Sequence, residues 1–146
     1  MKTVTHIEDV ALVTLKNCPS DISFIANILI KTAEKGVDVD MISQTPPSGG
    51  CVDMCFTVAD NDIPSLLTVT ASVTAEYPNV KTSVNGNNCK VVIFDDAMAG
   101  TPGYAADVFK KATEAGAEIR LITTSEKEIS LLIVNSGLDA LLSSLN

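Results

Sequence analysis

KKATEAGAEIRLITTSE, residues 110–126, repeats the pattern of LIKTAEKGVDVDMISQT, residues 29–45, which lies about eighty residues earlier in the chain. Gly36 and Gly116 follow the helix-like part of each passage, where a residue in the left-handed conformation commonly ends a helix. The residues after each glycine alternate between apolar and polar, which is typical of a strand. The two passages therefore predict the same helix-to-strand unit twice.

The repeat extends on both sides of these passages. Ala11–Leu15 aligns with Val91–Asp95, and Asp53–Val58 aligns with Glu128–Ile133 after a small change of offset. The change falls in the segment TPPSGG, residues 45–50, and a Pro/Gly turn tolerates differences in length. Each copy therefore predicts the element order strand, helix, strand, strand, helix.

The first copy predicts helices at 21–35 and 62–76 and strands at 10–16, 37–44, 52–59 and 80–85. The second copy predicts helices at 102–115 and 138–145 and strands at 90–95, 118–125 and 128–135. Thr and Val are abundant in 62–76 and form helices poorly, so a strand is the alternative there. Ser20 or Asp21 is expected to cap the first helix. Thr101 is expected to cap the second-copy helix, with Pro102 as its first residue.

This order predicts an α+β fold of two ferredoxin-like βαββαβ domains, each with a four-stranded antiparallel sheet and both helices on one face. The expected domains are residues 8–86 and 87–146. The second copy lacks a fourth strand, which would leave a bare sheet edge. We therefore expect the alternating N-terminal segment 1–7 to complete the second domain.

Composition argues against several classes of partner. The chain of 146 residues has a formal net charge of −8 and scattered basic residues, so neither nucleic acid nor an anionic membrane is an expected ligand. The N-terminus lacks the apolar stretch of a secretory signal, so the four cysteines are expected to be reduced and the location cytoplasmic. With one histidine and no CxxC pair, no metal site is expected. No cofactor is expected either.

Catalytic motifs are equally scarce. His6 has no neighbouring nucleophile in the sequence, and no phosphate-binding loop of the GxxxxGK[ST] type occurs. Acylphosphatases share the split βαβ fold, but they need an arginine in the first loop, and Arg120 is predicted to lie on a strand. The sequence therefore predicts a protein that is not an enzyme.

Several motifs resemble a known family. The segments ALVTLKNCPSDIS, EKGVDVDMISQ, DDAMAGTPGYAADVF and AEIRLITTSEKEISLLI are similar, in order and spacing, to the tandem ACT domains that regulate aspartate kinases. The resemblance covers nearly the whole chain and does not include the kinase catalytic domain. It departs at Ile22 and Ser23, where the family has Pro-Gly, so the first pocket is expected to be altered or lost. Asp95 and Asp96 replace small residues, and they either favour an ammonium group or are simply solvated.

The resemblance implies a ligand site where the loop after the first strand of each copy faces the second strand. Helix-start amides would face a carboxylate there, and the strand end would face an ammonium group. The residues implied in the first copy are Cys18, Ser20, Asp21, Ile22, Asp40, Ser43 and Gln44. Those implied in the second copy are Ala99, Thr101, Gly103, Tyr104, Thr124, Ser125 and Glu126.

Each of these residues also has a structural interpretation. Asp40 is either a ligand contact or a strand residue facing water, and Gln44 and Glu126 are either ligand contacts or hairpin residues. Ser125 is either a contact or a backbone partner. Asp21 is expected to cap its helix, which is compatible with ligand binding.

The resemblance implies a stand-alone ACT-ACT protein that senses lysine, threonine or a similar amino acid. It also implies a homodimer formed through ACT–ACT contacts, and modulation of an aspartate kinase or another amino-acid-pathway enzyme. The alternative is a structural or regulatory small subunit of an aspartate kinase in which the pockets have decayed.

Overall fold

The computed structural model describes all residues from Met1 to Asn146. The strands are β1 (Lys2–Pro19), β2 (Asp40–Gln44), β3 (Cys51–Ala59), β4 (Lys81–Asp95), β5 (Ile119–Thr124) and β6 (Glu128–Val134). The helices are α1 (Ile22–Glu34), α2 (Ile63–Glu76), α3 (Tyr104–Glu114) and α4 (Leu138–Leu145). Hydrogen bonds order the strands β2-β3-β1-β4-β6-β5, and the pairs β1–β3, β2–β3, β4–β6 and β5–β6 are antiparallel. This is an α+β fold with an antiparallel sheet. None of the helices has the length and apolar character needed to cross a membrane.

The chain divides into two compact units, and we name them by the part of the sequence that dominates each. The N-unit comprises residues 10–86, and the C-unit comprises residues 1–9 together with 87–146. Strands β1 and β4 therefore contribute residues to both units.

The continuity of β1 and β4 corrects the sequence prediction. Segments 3–7 and 10–16 were expected to be separate strands, as were 80–85 and 90–95, but each pair belongs to one strand. Asp9 and Asn87, which adjoin the boundaries between the units, have φ angles of 57° and 64°. Asp and Asn tolerate this left-handed conformation better than most residues, so a single irregular residue lies where a break between two strands was expected.

The N-unit core is built from apolar residues of β1, β3 and the two helices. Leu15, Phe56 and Leu66 are completely buried. Phe24 of α1 packs edge-on against Tyr77, with ring centroids 4.8 Å apart, an arrangement favoured by the aromatic quadrupole. The Thr- and Val-rich segment is helical, and the alternative strand is wrong. Burial of Leu66, Val69 and Val73 outweighs the poor intrinsic helix propensity of this segment.

The C-unit core is formed by β4, β6, α3 and α4, with Val91, Leu131 and Leu141 completely buried. Helix α3 begins at Tyr104, so the prediction that Pro102 is its first residue is wrong. The predicted cap is also wrong, because the Thr101 hydroxyl donates to the Ala97 carbonyl. Gly103, with φ at 88°, occupies the cap position without any side-chain hydrogen bond. Its left-handed backbone delays the start of the helix.

Candidate functional site

A cleft of about 160 Å³ lies in the N-unit between the loop that precedes α1 and the end of β2. The loop and the first turn of α1 form one wall, while β2 and the segment leading into β3 form the other. The lining residues are Ser20, Asp21, Ile22, Ile25, Gln44, Pro47 and Val52. Four of them, Ser20, Asp21, Ile22 and Gln44, belong to the predicted site.

The loop wall is held by backbone and side-chain hydrogen bonds. The Ser20 N–H donates to the Gly50 carbonyl over 3.0 Å, which ties the loop to the hairpin between β2 and β3. The Asp21 carboxylate accepts from the Ser23 N–H at 2.9 Å, confirming Asp21 as the helix cap. Ile22 follows with a side chain that is 78% exposed. These contacts fix the loop wall of the cleft.

The opposite wall is held by the start of the same hairpin. Gln44 pairs with Met54, and the next residue, Thr45, makes two bonds to Asp53. The Thr45 N–H donates to the Asp53 carbonyl, and the Asp53 N–H donates to the Thr45 hydroxyl, both over 2.9 Å. The strand end that carries Gln44 is therefore fixed independently of any ligand.

Three residues of the first predicted set do not line this cleft. Cys18 is completely buried, its thiol 3.5 Å from the Leu15 carbonyl, and burial raises its pKa to about 11. Ser43 is half-buried and pairs with Cys55 in the sheet. Asp40 begins β2, paired with Thr57. Cys18 therefore belongs to the core, and the two β2 residues lie on the strand beyond the cleft wall.

Three lining residues were not predicted. Ile25 lies one helical turn after Ile22, so the helical spacing places it on the same face of α1 and could have predicted it as a lining residue. Pro47 and Val52 reach the cleft because the hairpin folds back towards the loop. That fold-back depends on the Ser48–Cys51 bridge and has no local signature in the sequence.

In the C-unit, the corresponding loop is organised around Asp95. Its carboxylate accepts a 2.7 Å hydrogen bond from the Tyr104 hydroxyl and a 2.9 Å bond from the Ala97 N–H, and the Met1 amino group lies 3.9 Å away. The Tyr104 and Ala97 bonds hold the pKa of Asp95 below its usual value. Burial and the Asp95 carboxylate raise the pKa of Tyr104 to about 12. Asp95 is therefore not simply solvated.

The same loop meets the hairpin between β5 and β6 through Lys127. The Asp95 N–H donates to the Lys127 carbonyl over 2.9 Å, and the Lys127 ammonium lies 3.2 Å from the Asp96 carboxylate. Ser125 donates its backbone N–H to the Glu128 carbonyl at 2.9 Å. The remaining predicted residues Ala99, Thr101, Gly103, Thr124 and Glu126 are exposed on the loop and the hairpin.

The chain is similar in sequence and in structure to several known proteins. Residues 91–145 match the family model of the ACT domain. The regulatory subunit of aspartate kinase from Thermus thermophilus, in its ligand-free form, superposes with a TM-score of 0.82 at 29% identity, covering 98% of this chain and 97% of that one. A structure of aspartokinase alpha and beta subunits superposes with a TM-score of 0.80 at 26% identity, covering 98% and 97%.

An aspartokinase of Mycolicibacterium smegmatis is 30% identical over 145 residues, which is 98% of this chain and 34% of that protein. The chain spans about a third of the length of the curated relatives it matches. It therefore resembles the regulatory part of aspartate kinases along almost its whole length.

Proposed function

We propose that this chain is a non-catalytic regulatory protein that binds a free amino acid, such as lysine or threonine, in the N-unit cleft. The observation that carries the proposal is the cleft itself, which places Ser20, Asp21 and Ile22 opposite Gln44. The match to the ACT domain, a family that binds amino acid effectors, supplies the class of ligand. Ser20 and Gln44 offer neutral hydrogen-bonding groups, and Ile22 offers an apolar contact.

We further propose that each unit is one ACT module. The ACT match covers residues 91–145, and the internal repeat extends the same element order to residues 10–76. Residues 1–9 cluster with 87–146 and complete the second module. Under this proposal each module has four strands with two helices on one face.

The proposed partner is an aspartate kinase or another enzyme of amino-acid synthesis, and the proposed assembly is a homodimer formed through ACT–ACT contacts. Two similar structures are named as an aspartate kinase regulatory subunit and as aspartokinase alpha and beta subunits, which supports such a partner. All four cysteines are free thiols, which is compatible with a cytoplasmic setting. An effector can shift this assembly only by its difference in affinity between the assembled states.

The second candidate function is a structural small subunit with decayed pockets. The C-unit loop favours it, because Asp95 and Tyr104 are bonded to each other rather than directed towards a ligand. Under this alternative the chain binds a kinase subunit but no amino acid. Thr124, Ser125 and Glu126 remain the proposed ligand contacts of the C-unit if that loop does bind.

Isothermal calorimetry with the twenty amino acids tests the proposal. We expect heat with one or a few amino acids, among them lysine or threonine, and loss of that heat in Gln44→Ala. Thr68→Ala is the control, because Thr68 is an exposed, uncharged residue of α2 that lies outside the cleft lining and outside both sets of predicted site residues. Absence of heat with every amino acid, together with binding to a kinase subunit, would support the structural alternative.

A further inference from the structure

Most of the amides around the start of α1 are already hydrogen-bonded within the protein. The first amides of a helix normally lack partners and attract carboxylates. Here the Ser23 N–H donates to the Asp21 carboxylate at 2.9 Å, and the Phe24 and Ile25 N–H groups contact the Asp21 carbonyl at 3.0 and 3.5 Å. The Ser20 N–H is also occupied, by the Gly50 carbonyl. Only the N–H groups of Asp21 and Ile22 are without a partner, so a carboxylate that bound further into the helix start would have to displace these bonds.

The charges around the cleft also disfavour binding of a carboxylate. Asp21 is the single charged residue in the lining, and no lysine, arginine or histidine faces it there. Only one of its oxygens, Oδ1, accepts the capping bond, and Oδ2 makes no hydrogen bond or ion pair with the protein. A ligand carboxylate would therefore meet a like charge, whereas an ammonium group would meet an unpaired acceptor.

We infer that the N-unit cleft recognises its ligand through an ammonium group placed at Asp21, with the ligand carboxylate directed out of the cleft. This inference rests on the proposed function and specifies its chemistry. Gln44 and Ser20 then select among amines by hydrogen bonding, and Ile22 and Ile25 contact the apolar part of the ligand. The chemical class of ligand is a small primary amine, of which amino acids are one kind.

Calorimetry with matched probes tests this assignment on the intact chain. Cadaverine is lysine without its carboxylate, and 1-amino-2-propanol is threonine without its carboxylate. 3-Hydroxybutyrate keeps the carboxylate of threonine and lacks the amine. For whichever amino acid binds, we expect the decarboxylated amine to bind within about threefold of it, and 3-hydroxybutyrate to bind at least about tenfold more weakly than threonine.

Asp21→Asn separates charge from helix capping, because asparagine also caps helices well. We expect it to weaken binding of the amine about tenfold or more, while Asp38→Asn, which removes an exposed charge outside the cleft lining, leaves binding unchanged. If the amino acid binds and its decarboxylated amine does not, this inference is overturned and the proposed function stands. Failure of every amino acid and every amine to bind would overturn both.

Discussion

The loops before α1 and α3 occupy equivalent places in the repeat, yet they are built from different interactions. In the repeat Leu15 aligns with Asp95, and Phe24 aligns with Tyr104. The first pair is apolar, and both of its members lie in the N-unit core. The second pair is joined by a 2.7 Å hydrogen bond at the edge of the C-unit core. A shared element order therefore does not imply two equivalent loops.

The two helix starts differ in the same way. Helix α1 begins at Ile22 with the Asp21 carboxylate as its cap, whereas α3 begins at Tyr104, two repeat positions later, with no side-chain cap. The N-unit loop leaves a cleft beside an unpaired carboxylate oxygen, and the C-unit loop directs its buried carboxylate to its own tyrosine. The two units therefore differ in how this loop is built, and four substitutions test the difference in order of decreasing effect.

Leu15→Ala is expected to have the largest effect. Leu15 is completely buried, so its truncation should lower the free energy of unfolding by about 3 kcal/mol. Chemical denaturation measures this loss. Leu67→Ala is the control, because Leu67 is 53% exposed and its truncation should cost less than about 0.5 kcal/mol. Equal losses in the two variants would contradict the assignment of Leu15 to the apolar core.

Gly103→Ala should have the next largest effect. Gly103 has a φ angle of 88°, and a methyl group added at its Cα would meet no atom within 4 Å, so the cost is backbone strain of about 1.5 kcal/mol. Ser23→Ala is the matched control, because Ser23 aligns with Gly103 in the repeat and lies in an ordinary helical turn. Thermal unfolding measures both losses of stability. Equal losses in the two variants would contradict the conclusion that only the C-unit loop needs a left-handed residue at this position.

Asp21→Ala should destabilise the chain by about 1 kcal/mol, because the Ser23 N–H loses its capping partner. Asp21→Ser should retain most of the stability, since serine also caps helices. Denaturant titration of the two variants measures the difference. If both lost the same free energy, charge rather than capping would explain the role of Asp21.

Tyr104→Phe should have the smallest effect at neutral pH, about 0.5 kcal/mol for a hydrogen bond near the surface. The pKa of Tyr104 is raised to about 12, so its contribution should be present below pH 10 and lost as pH rises from 10 to 12. The pKa of Asp95 is lowered, so its contribution should be lost as pH falls through that lowered value. The free energy of unfolding should be measured against pH for the wild type and for Tyr104→Phe, and we expect the two values to converge at alkaline pH. A difference that stayed constant with pH would contradict a role for the Tyr104–Asp95 hydrogen bond.

The repeat predicted most elements because their signals are local. Gly36 and Gly116 both adopt left-handed φ angles, of 73° and 69°, after helices that the sequence placed within about two residues. The continuous strands were missed because pairing with neighbouring strands, rather than local propensity, decides whether a chain continues through Asp9 or Asn87. The start of α3 was missed because Pro102 is acceptable as a first helical residue, and only the backbone of Gly103 excludes it.

The candidate site was partly predictable. The resemblance to tandem ACT domains led to Ser20, Asp21, Ile22 and Gln44, and the structure places all four around one cleft. Cys18 was assigned to the loop because the strand was predicted to end at residue 16, whereas β1 continues to Pro19 and Cys18 is completely buried. Pairing of Cys18 with Val52 of β3 extends the strand, and such pairing is set by the partner strand rather than by the local sequence.

A titration followed by amide NMR tests the difference between the loops most directly. On addition of the amino acid that binds, we predict that the amide resonances of Ser20, Ile22 and Gln44 shift progressively, while those of Thr101 and Tyr104 stay unchanged. Shifts confined to Thr101 and Tyr104, with the N-unit resonances unmoved, would contradict the assignment of the ligand to the N-unit cleft.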